Sequence, residues 1–104
     1  MTYAAEQLTP DDIQSLTGST VLEFGTNWCG VCMGAQSRIQ QGLGDATVTH
    51  IKVEDGPGRR LGRSFRVKLW PTLVFLRDGI EVSRVVRPRS AEQVATALAE
   101  LVDP

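Results

Sequence analysis

The chain has 104 residues, a formal net charge of -1, an apolar fraction of 41% and a charged fraction of 22%. These values are typical of one soluble globular domain over residues 1–104, and the charge argues against general nucleic-acid binding. No apolar run approaches the roughly 18 residues of a transmembrane helix, and no signal peptide is visible. We therefore expect a monomeric cytoplasmic protein without nucleic-acid or membrane partners.

The first half of the chain predicts a helix, a strand, a helix and a strand, over residues 9–18, 20–26, 29–41 and 47–54. Thr9 can cap the first helix, with Pro10 in its first turn and two acids complementing the helix dipole. Gly42 and Gly44 are expected to end the second helix. A further weak strand is predicted near residues 4–8.

The second half predicts a turn at residues 56–58, a short helix over 59–65 and a pair of strands over 71–76 and 80–86. Asp78-Gly79 between these strands is a strong hairpin signal. Ser90-Ala91-Glu92-Gln93 resembles a capping box that begins a last amphipathic helix. The β-α-β part favours parallel strands and the hairpin adds antiparallel ones, so the fold class is α/β with a mixed sheet.

Trp28-Cys29-Gly30-Val31-Cys32 follows the first predicted strand and contains the only two cysteines. A helix N-terminus carries partial positive charge and free N–H groups, and both favour a thiolate at Cys29. Such a thiolate can attack a disulfide and form a mixed disulfide, which Cys32 then resolves. The motif therefore favours a redox-active dithiol.

Other roles for the two cysteines are weaker. A structural disulfide across a two-residue loop would remove little entropy from the unfolded chain. A zinc site usually needs four Cys or His ligands, and this chain adds only His50. We predict His50 to be a surface strand residue, since it has no partner histidine or acid at ligand spacing. Covalent haem would need a histidine in place of Met33. We expect no metal site and no bound cofactor.

The chain resembles the thioredoxin family from about Val21 to Val102. The resemblance rests on five segments in order: Val21-Leu22-Glu23-Phe24, Trp28-Cys29-Gly30-Val31-Cys32, Ile51-Lys52-Val53-Glu54, Trp70-Pro71-Thr72-Leu73 and Phe75-Leu76-Arg77-Asp78-Gly79. It implies the thioredoxin fold, a mixed central sheet flanked by helices on both faces. It also implies a thiol–disulfide oxidoreductase that reduces or exchanges protein disulfides and takes electrons from a partner reductase.

The resemblance implies a nucleophilic role for Cys29 and a resolving role for Cys32. Pro71 matches the family's cis-proline beside the dithiol, although an ordinary proline at a strand start is the alternative. The residues that the family places against substrate correspond to Trp28, Gly30, Val31, Trp70, Pro71 and Arg87.

Glu23 stands where the family commonly has a buried aspartate that assists proton transfer at the resolving cysteine. Its place in an apolar strand should raise the pKa of its carboxylate and suit it to general base work. Lys52 matches a family lysine that pairs with this carboxylate. The alternative is that both side chains face solvent on separate strands.

Four positions depart from the family pattern. Val31 replaces a proline and should make the dithiol more oxidising, whereas Gly25 replaces a tryptophan and should leave less cover near the site. Ser37 replaces a kinking proline, so its helix should be straighter. Arg87 replaces a glycine and either favours acidic partners or is an ordinary surface arginine. These departures keep two alternatives open: a disulfide oxidant or isomerase, and a binding module whose dithiol is idle.

Overall fold

A computed structural model describes residues 2–102 of the chain. Within these residues the chain forms the predicted elements in the predicted order: α1 Pro10–Gln14, β1 Ser19–Gly25, α2 Gly30–Leu43, β2 Thr49–Glu54, α3 Arg60–Ser64, β3 Thr72–Arg77, β4 Ile80–Val86 and α4 Ala91–Val102. The weak strand expected near residues 4–8 is reduced to one bridge, in which Ala4 pairs with Val53. None of the helices in these residues is long and apolar enough to cross a membrane.

The four strands form one mixed sheet in the order β2-β1-β3-β4. β1 runs parallel to β2 and antiparallel to β3, and β3 pairs antiparallel with β4 around the hairpin. This arrangement confirms the mixed sheet. Because β1 is central, Glu23 lies between Lys52 of β2 and Leu73 of β3 in register.

Alternate residues of the strands point to two separate cores, because strand side chains alternate between the faces of a sheet. One core packs α2 and α4 against Val21 and Phe75. The other packs α1 and α3 against Phe24 and Leu76. The helices therefore flank the sheet on both faces, as the resemblance implied.

Helix α2 continues past the residue expected to stop it. Gly42 is inside the helix, where a Cβ atom would lie only 2.5 Å from the Cβ of Val94 in α4. Its role is therefore to allow close packing of two helices, and Gly44, with φ of 55°, is the C-cap. The helix runs unbroken through Ser37.

The sheet brings three distant segments to one end. β1 leads into the loop that holds Cys29, and Phe24 near its end pairs with Thr72 at the start of β3. Thr72 in turn pairs with Val86 at the end of β4. Pro71 and Arg87 therefore lie at the same end of the sheet as the dithiol.

Candidate active site

The two cysteines are free thiols in contrasting surroundings. Cys29 is the N-cap residue of α2, is partly exposed, and its Sγ accepts a hydrogen bond from the backbone N–H of Cys32 at 3.2 Å. Cys32 lies one turn inside the helix and is completely buried. A disulfide partner can therefore reach Cys29 directly, whereas Cys32 is positioned to attack only from inside.

Burial raises the pKa of the Cys32 thiol to about 12. The loss of solvent contributes most, and the neighbouring Cys29 adds to it, while hydrogen bonds from the backbone of Thr26 and from the Tyr3 side chain act in the opposite direction. At neutral pH Cys32 is therefore a thiol, and it must lose a proton before it can act as a nucleophile.

Glu23 lies at the centre of a buried polar cluster and is fully inaccessible to solvent. Its Oε2 accepts hydrogen bonds from the Tyr3 hydroxyl and, at 3.0 Å, from Gln36 Nε2, and its Oε1 lies 2.8 Å from His50 Nε2. Burial alone would raise the pKa of Glu23, as the sequence suggested. The three hydrogen bonds and the charge of Lys52 outweigh that effect and lower the pKa below its ordinary value, so the expected increase was wrong.

The prediction that His50 is a surface strand residue was wrong, because its side chain is partly buried against Glu23. His50 pairs in register with Val21, two residues before Glu23 on β1, so the side chains of His50 and Glu23 meet diagonally across the parallel strands. Its side chain is 18% exposed and connects the buried carboxylate to the surface. No sequence spacing signals this pair, because only the strand register creates it.

Among residues 2–102, no three His, Cys, Asp or Glu side chains are grouped to hold a metal ion.

Lys52 and Gln36 complete the cluster. Lys52 is buried beside Glu23 on the neighbouring strand, contrary to the solvent-facing alternative, and its Nζ donates to Gln36 Oε1. Gln36 Nε2 also donates to the carbonyl of Cys32 at 2.9 Å. Gln36 could have been found from the sequence, since residues four apart share one helix face.

Tyr3 is the site residue that the sequence reasoning missed entirely. Its backbone is fixed by a reciprocal pair of hydrogen bonds with the Asn27 side chain, at 2.9 and 3.0 Å. Its ring is buried above Gly25, where a Cβ atom would lie 2.7 Å from Tyr3 Cζ and 2.8 Å from Cys32 Sγ. Gly25 therefore does not leave the site less covered, because Tyr3 fills the space.

The loop before β3 forms the wall beside the dithiol. The Trp70–Pro71 peptide bond is cis, as the resemblance implied. Trp70 Nε1 donates to Asp55 Oδ2 at 2.8 Å, and the backbone N–H of Asp55 donates to the carbonyl of Gly25 at 2.9 Å. Through Asp55, these two bonds connect the loop before β3 to Gly25 at the end of β1, near the cysteines.

Arg87 holds the same loop and is not simply a free cation at the surface. Its Nε donates to the carbonyl of Trp70 and its backbone N–H to the carbonyl of Pro71, both at 2.8 Å. Its φ of 50° lies in the left-handed region where glycine is favoured. The arginine therefore occupies a glycine-like backbone position and gains a side-chain hydrogen bond there.

Apolar side chains are exposed around the cysteines. Trp28 is 74% exposed, and other exposed apolar residues near the same end of the sheet are Val31, Met33, Leu69 and Val86. We call these five residues the docking face. Exposed apolar patches beside a reactive group are typical of surfaces that contact other proteins.

Comparisons with known proteins agree with this geometry. The family model for thioredoxin matches residues 4–100. Thioredoxin 2 from Pseudomonas aeruginosa, solved in its reduced form, is 56% identical, with 98% of this chain and 95% of that chain covered and a TM-score of 0.88.

Two curated relatives are more distant. Thioredoxin from Mycobacterium tuberculosis is 30% identical over 96 residues, covering 88% of this chain and 78% of its own length. Thioredoxin H2-1 from rice is 32% identical over 77 residues, which are 73% of this chain but only 56% of the rice protein. A family match over nearly the whole chain, together with a partly exposed and a buried thiol in CxxC spacing, shows that the chain belongs to the thioredoxin family and is a thiol–disulfide oxidoreductase.

Proposed function

We propose that the protein reduces or exchanges disulfides in other proteins, with Cys29 as the nucleophile and Cys32 as the resolving thiol. The observation that carries this proposal is the asymmetry of the pair. Cys29 is accessible at a helix N-terminus, where N–H groups and the helix dipole stabilise a thiolate, while Cys32 is buried. An accessible thiolate attacks first, and a buried neighbour resolves the product.

The reaction has two steps. The Cys29 thiolate attacks one sulfur of a substrate disulfide, forms a mixed disulfide and releases the other substrate sulfur as a thiolate. Cys32 then loses its proton and attacks the Cys29 sulfur, so that the Cys29–Cys32 disulfide forms and the second substrate thiolate leaves. Two electrons pass from the protein to the substrate, and a partner reductase is proposed to return them.

Glu23 is proposed to receive the proton that Cys32 loses. The Glu23 carboxylate is ionised at neutral pH and has room for a proton when Cys32 becomes a nucleophile, although its lowered pKa makes it a weaker base than the sequence predicted. Lys52 supports this role, because its charge helps to keep Glu23 ionised and its ammonium group orients Gln36. Glu23 and Lys52 thus act behind the sulfurs and not in contact with substrate.

Substrate is proposed to bind across the docking face and the loops beside it. Trp28 and Val31 offer apolar contact, and small Gly30 leaves the approach to Cys29 open. Trp70 and Pro71 form the opposite side, and Arg87 keeps that loop in place.

Acidic protein segments are the proposed preference of this surface. Beside Trp70 lies a cleft of about 620 Å³ whose lining includes four cationic residues: Arg59, Arg63, Arg66 and Lys68. Asp55 contributes one negative charge to the cleft and Arg59 is paired with Glu54, so Arg63, Arg66 and Lys68 leave the cleft with a net positive charge. Positive charge at the edge of an interface mainly increases the rate of association with acidic partners.

We further propose that residues 1–104 act as a single domain, as a monomer, in the cytoplasm.

Alkylation and reduction assays test the roles of the cysteines. Limiting iodoacetamide should label Cys29 of the reduced protein before Cys32, and mass spectrometry would identify the site. Cys29→Ser should abolish reduction of insulin, whereas Cys32→Ser should accumulate mixed disulfides. First labelling at Cys32 would contradict the assignment, and an inactive parent protein would favour an idle binding module.

A second candidate function is net oxidation or isomerisation of disulfides, which Val31 favours. A non-proline residue before Cys32 leaves a backbone N–H that can stabilise the reduced form, and this raises the reduction potential. Equilibration with defined glutathione buffers measures the potential. A value near that of strong oxidants would favour this candidate over the reductase.

A further inference from the structure

We propose that the Tyr3 hydroxyl passes the proton from Cys32 to Glu23 during resolution of the mixed disulfide. This inference rests on the proposed roles of Cys32 and Glu23 and adds the atom that connects them. Tyr3 comes from the start of the described chain and belongs to neither the CxxC motif nor the substrate-binding loops.

The Tyr3 hydroxyl lies near both the proposed proton donor and the proposed acceptor. On one side the Tyr3 hydroxyl donates to Glu23 Oε2. On the other, the space above Gly25 is shared by Tyr3 and the Cys32 sulfur, since a Cβ atom there would lie 2.9 Å from the hydroxyl oxygen and 2.8 Å from Sγ. The Tyr3 side chain also lies close enough to Cys32 to affect the pKa of its thiol.

The neighbouring groups keep the hydroxyl in this orientation. Gln36 Nε2 donates to the Tyr3 oxygen at 3.1 Å, so the hydroxyl hydrogen is directed to Glu23. Lys52 lies 4.7 Å from the ring centroid, a cation–π contact that holds the ring from its face. His50 meets Glu23 through its other oxygen and leaves Oε2 to Tyr3 and Gln36.

The proton balance is simple. As Cys32 attacks the Cys29 sulfur, its S–H proton moves to the Tyr3 oxygen and the original Tyr3 proton moves to Glu23 Oε2. The Cys29–Cys32 disulfide forms, the substrate leaves as a thiolate, Tyr3 is again a neutral phenol, and Glu23 is a carboxylic acid. Two protons move, one from Cys32 to Tyr3 and one from Tyr3 to Glu23, and the net result is the transfer of one proton from Cys32 to Glu23. Tyr3 is never a free phenolate. This path avoids a state that burial and Glu23 make costly, since both raise the pKa of Tyr3 far above its ordinary value.

The test follows the two steps separately with 5,5′-dithiobis(2-nitrobenzoate), which releases one coloured thiolate when Cys29 attacks and a second when Cys32 resolves. In Tyr3→Phe the ring is kept and only the hydroxyl is lost. We expect the second release to slow by about a hundredfold, the lower end of general acid–base effects, with the first unchanged. The parent should show a solvent isotope effect on the second release that Tyr3→Phe loses. Ser83→Ala is the matched control, because it deletes a buried hydroxyl that has no hydrogen-bond partner among the described residues.

The outcomes separate this inference from the proposed function. A parent protein without a first release would refute the function itself. A normal first release with an unchanged second release in Tyr3→Phe would refute only the role of Tyr3, as would a slower second release that keeps the parent's isotope effect. If Tyr3→Phe does not fold, the parent decides: its second rate in H₂O–D₂O mixtures should follow a curved proton inventory for two moving protons, and a linear one would overturn the proposal.

Discussion

Replacing Glu23 by glutamine should destabilise the protein at neutral pH, although a buried carboxylate in an apolar strand suggests the opposite. The structure reverses the expectation because the carboxylate accepts hydrogen bonds from three side chains and lies near a buried lysine. Its lowered pKa means that these partners more than compensate for the loss of solvent. A glutamine side chain has one acceptor oxygen: placed at the Oε2 position it keeps the contacts with Tyr3 and Gln36, and its NH2 group then faces His50 Nε2.

The magnitude follows from the lost bonds. Each hydrogen bond to a charged group contributes about 1.5–3 kcal/mol, and removing one partner from a buried charged network costs about 3–5 kcal/mol. Partial retention of two bonds by the glutamine oxygen reduces this loss. We therefore expect Glu23→Gln to lower the free energy of unfolding by about 2–4 kcal/mol at pH 7.

The effect should depend on pH with a defined sign. A carboxylate whose folded-state pKa is lowered contributes stability that is fully present above its unfolded value, near 4.5, and is lost as the pH falls through the folded value. The difference between parent and variant should therefore be complete at pH 7 and shrink below about pH 4.5. Urea unfolding of the reduced proteins at several pH values measures it, with Glu100→Gln on the exposed side of α4 as the control. A variant as stable as the parent at pH 7 would refute the reasoning.

Three further substitutions test other features. Val31→Pro should lower the reduction potential in a glutathione titration, and a value at or above that of the parent would contradict the account of Val31. Arg87→Gly relieves the positive φ but loses the bond to the loop before β3, so the free energy of unfolding should change by less than about 1 kcal/mol. Turnover of acidic substrates should fall and depend less on salt, because one cation is removed beside the cleft; unchanged kinetics would leave Arg87 an ordinary surface residue. Gly25→Ala should cost about 1–3 kcal/mol in urea unfolding because its Cβ would meet the Cys32 sulfur at 2.8 Å, whereas Gly34→Ala in α2, with nothing within 4 Å, should be neutral or stabilising; equal effects would contradict the packing argument.

The sequence by itself determined the fold and the centre of the chemistry. Local signals were sufficient for the elements: the Thr9 cap, the apolar run of β1 and the Asp78-Gly79 hairpin act over a few residues and gave the observed order. The dithiol was equally readable, because its reactivity depends on CxxC spacing at a helix start and the N-cap position of Cys29 is a local property.

Only the tertiary structure decided the electrostatics of the buried cluster. Tyr3, Gln36 and His50 come from three separate segments, and they meet Glu23 because strand register and helix packing place them there. Burial and hydrogen bonding act on the pKa of Glu23 in opposite directions, and sequence reasoning could estimate only the first. Hydrogen bonds depend on distances of about 3 Å between residues far apart in the chain, so the sign of that balance becomes fixed only when the chain is folded.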